Sequence, residues 1–513
     1  MKNFAALAIL MATTSLASAA SNESFIAQIG SHNGAVVGQE KGNNKQVTIQ
    51  AGKKNHAFTA QKGPSSGSNT NQSGTLQFGA HNGALVGQTG GNNTQGTLQV
   101  GLGNGAITGQ NNSGKAGTND AGTAQFGVGN HAVTGQNSSG GNSNSSGKGG
   151  SNDSGILQAG FDNTAIIGQN SAGSGTSSHA RSGVDNNSAA VQIGGKNFAL
   201  VSQDGTRPGT TAGTASNDSF VGQFGWRNGA IVGQIGGNND QGTLQFGAKN
   251  FAATGQTATE YGSSNGSLTL QGGYGNHALT TQSSDGSKGF PDGIGGSNSA
   301  VTMQFGKGNA AITAQDSTGA GGFIIANSGV ENNAATLQIG KGNTSITGQS
   351  GSRPLVGPDA VANNSFVGQL GAENFALVGQ TNGLNAQATL QAGYRNGAVT
   401  VQKNDQLSVN QNAALTLQVG RRNHALTSQV ANPLSAGGNG SLIAQLGNGN
   451  SAIAAQQTNQ TGLQPMIGAN LQATVQVGNG NSALTSQLAS ASVSNTSVTA
   501  QFGSHNTAVT VQH

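Results

Sequence analysis

GTLQFGAHNGALVGQ (residues 74–88) and GTLQFGAKNFAATGQ (residues 242–256) are nearly the same fifteen residues, written twice, with no full charge outside the central turn. They are two of eighteen copies of one pattern, Q-x-G-x-x-N-x-A-x-x-x-Q. Its first Gln falls at Gln28, Gln50, Gln77, Gln99, Gln125, Gln158, Gln192, Gln223, Gln245, Gln271, Gln304, Gln338, Gln369, Gln391, Gln418, Gln445, Gln476 and Gln501. The two Gln, the Gly and the Asn hold in every copy, and the Ala position departs once, at Ser345. Copies follow one another at 22 to 34 residues, the spacing of stacked repeat proteins. From Gln77 the steps are 22, 26, 33, 34 and 31, and the same five steps follow Gln223. A five-copy block has therefore been duplicated together with its loop lengths.

The pattern reads as strand, turn, strand. Thr75–Phe78 alternates, Gly79 to Asn82 turns, and Gly83–Gln88 alternates again. Gly and Asn both accept positive φ, and β-branched residues such as Ile107, Thr108, Ile166 and Ile167 fill the flanks. Apolar residues do not recur at a helical period, and glycine is a poor helix former. The expected fold is all-β, a two-sided parallel β-solenoid of eighteen strand–turn–strand rungs, about 4.8 Å apart and roughly 85 Å long. All seven prolines (Pro64, Pro208, Pro291, Pro354, Pro358, Pro433, Pro465) lie between copies, where no ladder donor is lost. Charged residues are expected only in turns and loops, because like charges in adjacent rungs repel.

Stacking sets each Gln on the next Gln and each Asn on the next Asn. Three amides per rung are thus expected to form ladders: Gln28, Asn33 and Gln39 in the first copy; Gln77, Asn82 and Gln88; Gln99, Asn104 and Gln110; Gln223, Asn228 and Gln234; Gln369, Asn374 and Gln380; and Gln501, Asn506 and Gln512 in the last. Each such bond contributes about 1 kcal/mol net. The face carrying Thr75, Gln77, Ala84, Val86 and Gln88 is expected inside, since small and amide residues suit a narrow interior. Leu76, Phe78 and Leu85 then form an outward apolar stripe suited to contact between columns.

Composition fits this frame. Gly supplies 87 of 513 residues, and only 7% are charged and 4% aromatic, too few large side chains for a conventional core. The net charge of +4 is spread thinly and no basic run exceeds two residues, which argues against nucleic acid as a partner. There is no cysteine. Residues 1–20, MKNFAALAILMATTSLASAA, carry a positive start, a short apolar run and an A-x-A site. They read as a secretory signal cut after Ala19 or Ala20, leaving 21–513 as the repeat region. No later stretch reads as a membrane span. No enzyme motif, cofactor site or calcium-binding nonapeptide occurs, and His32, His56 and His81 slip in register, as solvated turn residues would.

The motif resembles the curlin repeat of curli subunits, S-x(5)-Q-x-G-x-G-N-x-A-x(3)-Q, with Gln99, Gly101, Gly103, Asn104, Ala106 and Gln110 fitting from Gln to Gln. The chain has more copies than is usual in that family. The Gly before Asn is often replaced (His32, His81, Lys196, Arg395), the leading Ser position reads as irregular, and the N-terminal targeting tail is almost missing. The resemblance implies a secreted subunit of extracellular amyloid fibres at the bacterial surface, acting in adhesion and biofilm matrix. It also implies a nucleator and an outer-membrane secretion channel as partners. Independently, the first rung begins close to the signal and the last closes at Gln512, so open strand edges at both ends are expected to favour homopolymeric head-to-tail growth. The alternatives are a monomeric surface adhesin, or an ice- or carbohydrate-binding solenoid using the Thr that stands two residues before the first Gln in twelve copies.

Overall fold

The computed structural model of the chain describes residues 22–64, 69–113, 117–139, 150–172, 184–206, 215–259, 263–285, 295–318, 330–352, 361–404, 411–432, 438–459, 468–490 and 493–513. The expected secretory signal at residues 1–20, and every proline except Pro64, lie outside these residues. Thirty-six strands, β1 to β36 in chain order, form two parallel sheets of eighteen. The first rung is β1 (Asn22–Ser31) with β2 (Gly34–Glu40), and the third is β5 (Thr70–Ala80) with β6 (Gly83–Gly90). The eighth is β15 (Ala215–Trp226) with β16 (Gly229–Gly236), and the last is β35 (Asn495–Ser504) with β36 (Thr507–Gln512). Odd strands pair with the next odd strand and even with the next even, always parallel and in register: Gln28 faces Gln50, and Gln77 faces Gln99. The molecule is a two-sided parallel β-solenoid. Among the described residues no helix is long and apolar enough to cross a membrane.

One edge of every rung is a tight turn, and all length variation between copies falls on the other edge. The tight turn explains two columns of the motif. Gly79 has φ +112° and an added Cβ would stand 2.1 Å from the carbonyl oxygen of Gly101 in the next rung. Only glycine fits that approach, so Gly is invariant there. The residue before Asn is left-handed in all eighteen rungs, at φ 58° for His81 and 66° for Gly103. Non-glycine residues tolerate that well at a modest cost, which is why this glycine is replaceable.

Side chains alternate in and out. Thr75, Gln77, Asn82, Val86 and Gln88 are at most 1% exposed, whereas Leu85 is 44% exposed. The amide face is therefore the interior and the apolar stripe faces outward. The narrow interior holds Ala, Thr, Ser, Asn and Gln, with larger apolar residues concentrated near the sixth to eighth rungs at Ile156, Ile167, Val201, Val221 and Val232. Ser345, the one departure from Ala, is fully buried and lies 3.5 Å from the Thr336 hydroxyl.

Two expectations need correction. The strand before the first Gln starts five residues earlier than the sequence reading placed it, at Thr70 rather than Thr75. Charged residues also do occupy strands. Asp120, Asp153, Asp218 and Asp240 lie within odd strands, on their outer face near the loop edge. Outside, water screens the repulsion that excludes charge from the interior.

Candidate functional site: amide ladders and the ends of the stack

The interior amides form continuous chains of hydrogen bonds. Each first Gln donates through Nε2 to Oε1 of the Gln in the next rung: Gln28 to Gln50 at 2.6 Å, Gln77 to Gln99 at 2.7 Å, Gln99 to Gln125 at 2.8 Å, Gln223 to Gln245 at 2.9 Å and Gln369 to Gln391 at 2.8 Å. The closing Gln repeats this, with Gln39, Gln88, Gln110, Gln234 and Gln380 donating at 2.8–2.9 Å to Gln61, Gln110, Gln136, Gln256 and Gln402. The second amide hydrogen reaches a backbone carbonyl, as Gln77 does to His56 O at 3.1 Å. That carbonyl can only accept, so it fixes which amide atom is the nitrogen.

The turn Asn runs the opposite way. Asn82 donates its backbone N–H to Asn55 Oδ1 at 3.1 Å, and Asn104 donates to Asn82 Oδ1 at 3.1 Å. Its Nδ2 also ties the turn to Phe78 O and to Gly101 O of the following rung. Asn374 receives the same bond from Asn396, and Asn228 from Asn250, each at 3.1 Å.

A fourth ladder was missed in the sequence. Asn71 donates to Asn44 at 2.9 Å, and Asn93 donates to Asn71 at 2.8 Å. This Asn stands six residues before the first Gln in all eighteen copies, from Asn22 to Asn495. It occupies the position where the curlin pattern has Ser, so that position is not irregular: it is uniformly Asn. The signal was present but lay outside the strand as first delimited.

These directions make the two ends of the described stack different. At the first rung, the oxygens of Gln28 and Gln39 accept no bond from another rung, while their Nε2 atoms donate inward. At the last rung, Gln501 and Gln512 accept from Gln476 and Gln487, and each donates one amide hydrogen to a backbone carbonyl. The other hydrogen of each points out of the stack. Asn ladders leave the reverse pattern: Asn495 and Asn506 donate inward to Asn470 and Asn481, so their Oδ1 atoms face outward. Asn22 accepts from Asn44, leaving its Nδ2 for the other side. Outward-facing acceptors on one end thus meet outward-facing donors on the other, column by column. No described strand pairs with the outer edges of β1, β2, β35 or β36.

Other chemistry is sparse. Among the described residues no group of three or more His, Cys, Asp or Glu is placed to hold a metal. Thr75, Thr97 and Thr243 are buried, which removes the flat hydroxyl face an ice- or carbohydrate-binding surface would need. Burial, and then the charges of Asp120 and Asp185, raise the pKa of Asp153; burial and Asp218 do the same for Asp240. On the turn edge Lys196 lies 5.8 Å from the Phe161 ring and 5.6 Å from the Trp226 ring. The sequence matches no protein-family model, and no curated protein is significantly similar to it.

Proposed function

We propose that the chain is a secreted structural subunit that adds head to tail into extracellular, curli-like amyloid fibres serving adhesion and biofilm matrix. The observation that carries this reading is the complementarity of the two ends. The last rung offers Gln501 and Gln512 donors where the first offers Gln28 and Gln39 acceptors, and Asn495 accepts where Asn22 donates. A second copy continues all four ladders without a break, and the contact does not close on itself. The curlin resemblance and the leader support export through a channel, with a nucleator starting the fibre.

The test uses mature chain diluted from denaturant at neutral pH, followed by thioflavin T and electron microscopy. Unbranched fibres after a lag that seeds shorten are expected; a β-rich monomer stable for days would sink the reading. A sharper variant is Gly503→Ala. Within the chain its Cβ meets nothing closer than Asn506 Nδ2 at 3.7 Å. In a fibre it would strike the Gly30 carbonyl of the next copy, as every interior glycine would strike its own neighbour. The variant is expected to fold but not to extend seeds at that end.

A further inference from the structure

Even-numbered strands carry glycines that nothing inside the molecule requires. Gly38, Gly87, Gly109, Gly135, Gly233, Gly255 and Gly379 stand in mid-strand on the outer face, two residues after the Leu85 position of their rungs; with Gly168 and Gly348 they make nine of the eighteen residues of that column, the others being Ala, Ser, Thr or Val, Val401 and Val511 among them. A Cβ added at any of the first seven would meet nothing within 4 Å. None has a positive φ. Glycine in a strand interior forfeits roughly 0.5–1 kcal/mol relative to Ala. In the turn the glycines answer to a close backbone; here they answer to open solvent. Unexplained glycine in a strand marks a place where something else approaches closely.

Beside this glycine channel runs an aliphatic ridge. The Leu85 position is apolar in all eighteen rungs. Val36, Leu85, Ile107, Leu279, Ile312 and Val509 on it are all more than a third exposed. No Asp, Glu, Lys or Arg occupies the ridge, the channel or the column before the ridge in any rung. Ridge and channel are two residues apart along the strand, about 6.6 Å.

We propose that this face binds the same face of a second copy, related by a two-fold axis parallel to the column. Three arguments select that occupant and that symmetry. A two-fold parallel to the column reverses the strand direction across the interface, so each ridge falls opposite the partner's channel. A two-fold along the strands would instead set ridge on ridge. Second, ridge and channel, each about 6.6 Å wide, cover roughly 1,100 Å² per partner over eighteen rungs, against about 800 Å² in a standard stable interface. Third, a ridge with one side chain every 4.8 Å or so is matched along its whole length only by a surface with the same repeat. The opposite sheet is the poorer candidate, because pairing it would take Asp120, Asp153, Asp218 and Asp240 on its outer face out of water, whereas on the chosen sheet Glu40, Lys62, Asp204, Asp316 and Lys403 lie one outer column beyond the channel. The chosen axis keeps both columns pointing the same way, so a pair shares one growth direction.

This pairing concerns the flank of the column and stands whether or not the ends polymerise. The test compares the full mature chain with a variant carrying Gly87→Val, Gly109→Val, Gly233→Val and Gly255→Val, which fills the channel where no intramolecular neighbour is met. A second variant, Leu85→Lys with Ile107→Lys and Ile231→Lys, charges the solvent-facing ridge. Folding is checked by far-ultraviolet circular dichroism, and assembly by mass per length in dark-field electron microscopy. For chain that does not grow axially, light scattering reads monomer against dimer. The wild type is expected to show two columns side by side. Both variants are expected to keep the β signal and halve the mass per length. A wild type of single columns would overturn the proposal. So would a folded variant of either kind that keeps the full mass per length. Failure of axial growth would appear separately, as particles one chain long.

Discussion

The eighth and the eighteenth rungs carry the same motif, one with a rung on each side and the other with a rung on one side only. In the eighth, Gln223 accepts from Gln192 at 2.8 Å, donates to Gln245 at 2.9 Å and is fully buried. In the eighteenth, Gln501 accepts from Gln476 but donates to no further side chain, and Val498 and Phe502 beside it are 75% and 70% exposed. The motif Gln is buried in both places, Gln501 at 5% exposure, but the eighteenth rung has one side uncovered and Val498 is far more exposed there than its counterpart Phe220, at 40%, is in the eighth. The stability of such a chain therefore resides in the interfaces between rungs, and an end is an interface with one side unfilled.

The largest expected break in this comparison is Gly225→Ala against Gly503→Ala. Both positions have positive φ, +123° and +105°, so both suffer backbone strain of about 1–3 kcal/mol. Only at Gly225 does the new Cβ meet a backbone oxygen, that of Gly247 at 2.0 Å. The added cost should exceed roughly 4 kcal/mol and split the stack, read as a second transition in denaturant unfolding. Next in size is Gln223→Ala against Gln501→Ala. The interior change strands a donor on Gln192 and an acceptor on Gln245, at about 1–3 kcal/mol each. The terminal change strands the donor on Gln476 but no side-chain acceptor; each change also releases one backbone carbonyl, Ser482 O at the end and Phe198 O in the interior. Equal losses at the two sites would refute the view that burial on both sides is what counts.

Neighbours matter on the outer wall too, with a smaller effect and a definite pH sign. Asp153 and Asp240 have raised pKa values in the folded chain. A carboxyl with a raised folded pKa binds its proton more readily folded than unfolded, so its stabilising contribution is present at low pH and lost as pH rises through the folded value. Amide protection in the fifth to ninth rungs should rise as pH falls from 7 into the carboxylate range. In Asp153→Asn with Asp240→Asn, that rise should largely disappear. Rungs thirteen to seventeen, with Asn364, Ala386, Ala413, Gly440 and Leu471 in the same column, should not respond in this way. Hydrogen exchange read rung by rung checks this.

The architecture was open to reading because its rule is strictly periodic. Gln77, Gly79, Asn82 and Gln88 each recur in every copy, and in a parallel in-register stack every recurring residue meets itself. Strand boundaries were harder. Thr70–Gly74 is rich in Asn, Ser and Gly like the residues before it, so nothing local separates it from the loop. Only its pairing with the next rung makes it strand, and with that boundary missed the Asn71 ladder was missed as well. The direction of the ladders was beyond the sequence altogether. It depends on which carbonyl lies beside each amide nitrogen, as His56 O lies beside Gln77, and that is set by the distance between the two sheets.

The finest contrast between interior and end concerns a single hydroxyl. Thr134 is 2% exposed and its Oγ1 has no hydrogen-bond partner. The same column holds Val201 and Val232, also buried, so the site accepts a valine of the same shape and the same β-branching. Thr134→Val removes an unsatisfied polar atom and should stabilise the stack by about 1 kcal/mol. Thr510 is its counterpart in β36, where it is half-buried beside an open edge. Water reaches that hydroxyl, so Thr510→Val should leave the unfolding midpoint of the isolated chain unchanged. Once a second copy covers β36, Thr510 becomes equivalent to Thr134. The substitution should then favour the fibre over the free subunit, lowering the concentration of subunit left in solution at the end of assembly several-fold. An unchanged residual concentration, with Thr134→Val still stabilising, would mean that copies do not join through this face.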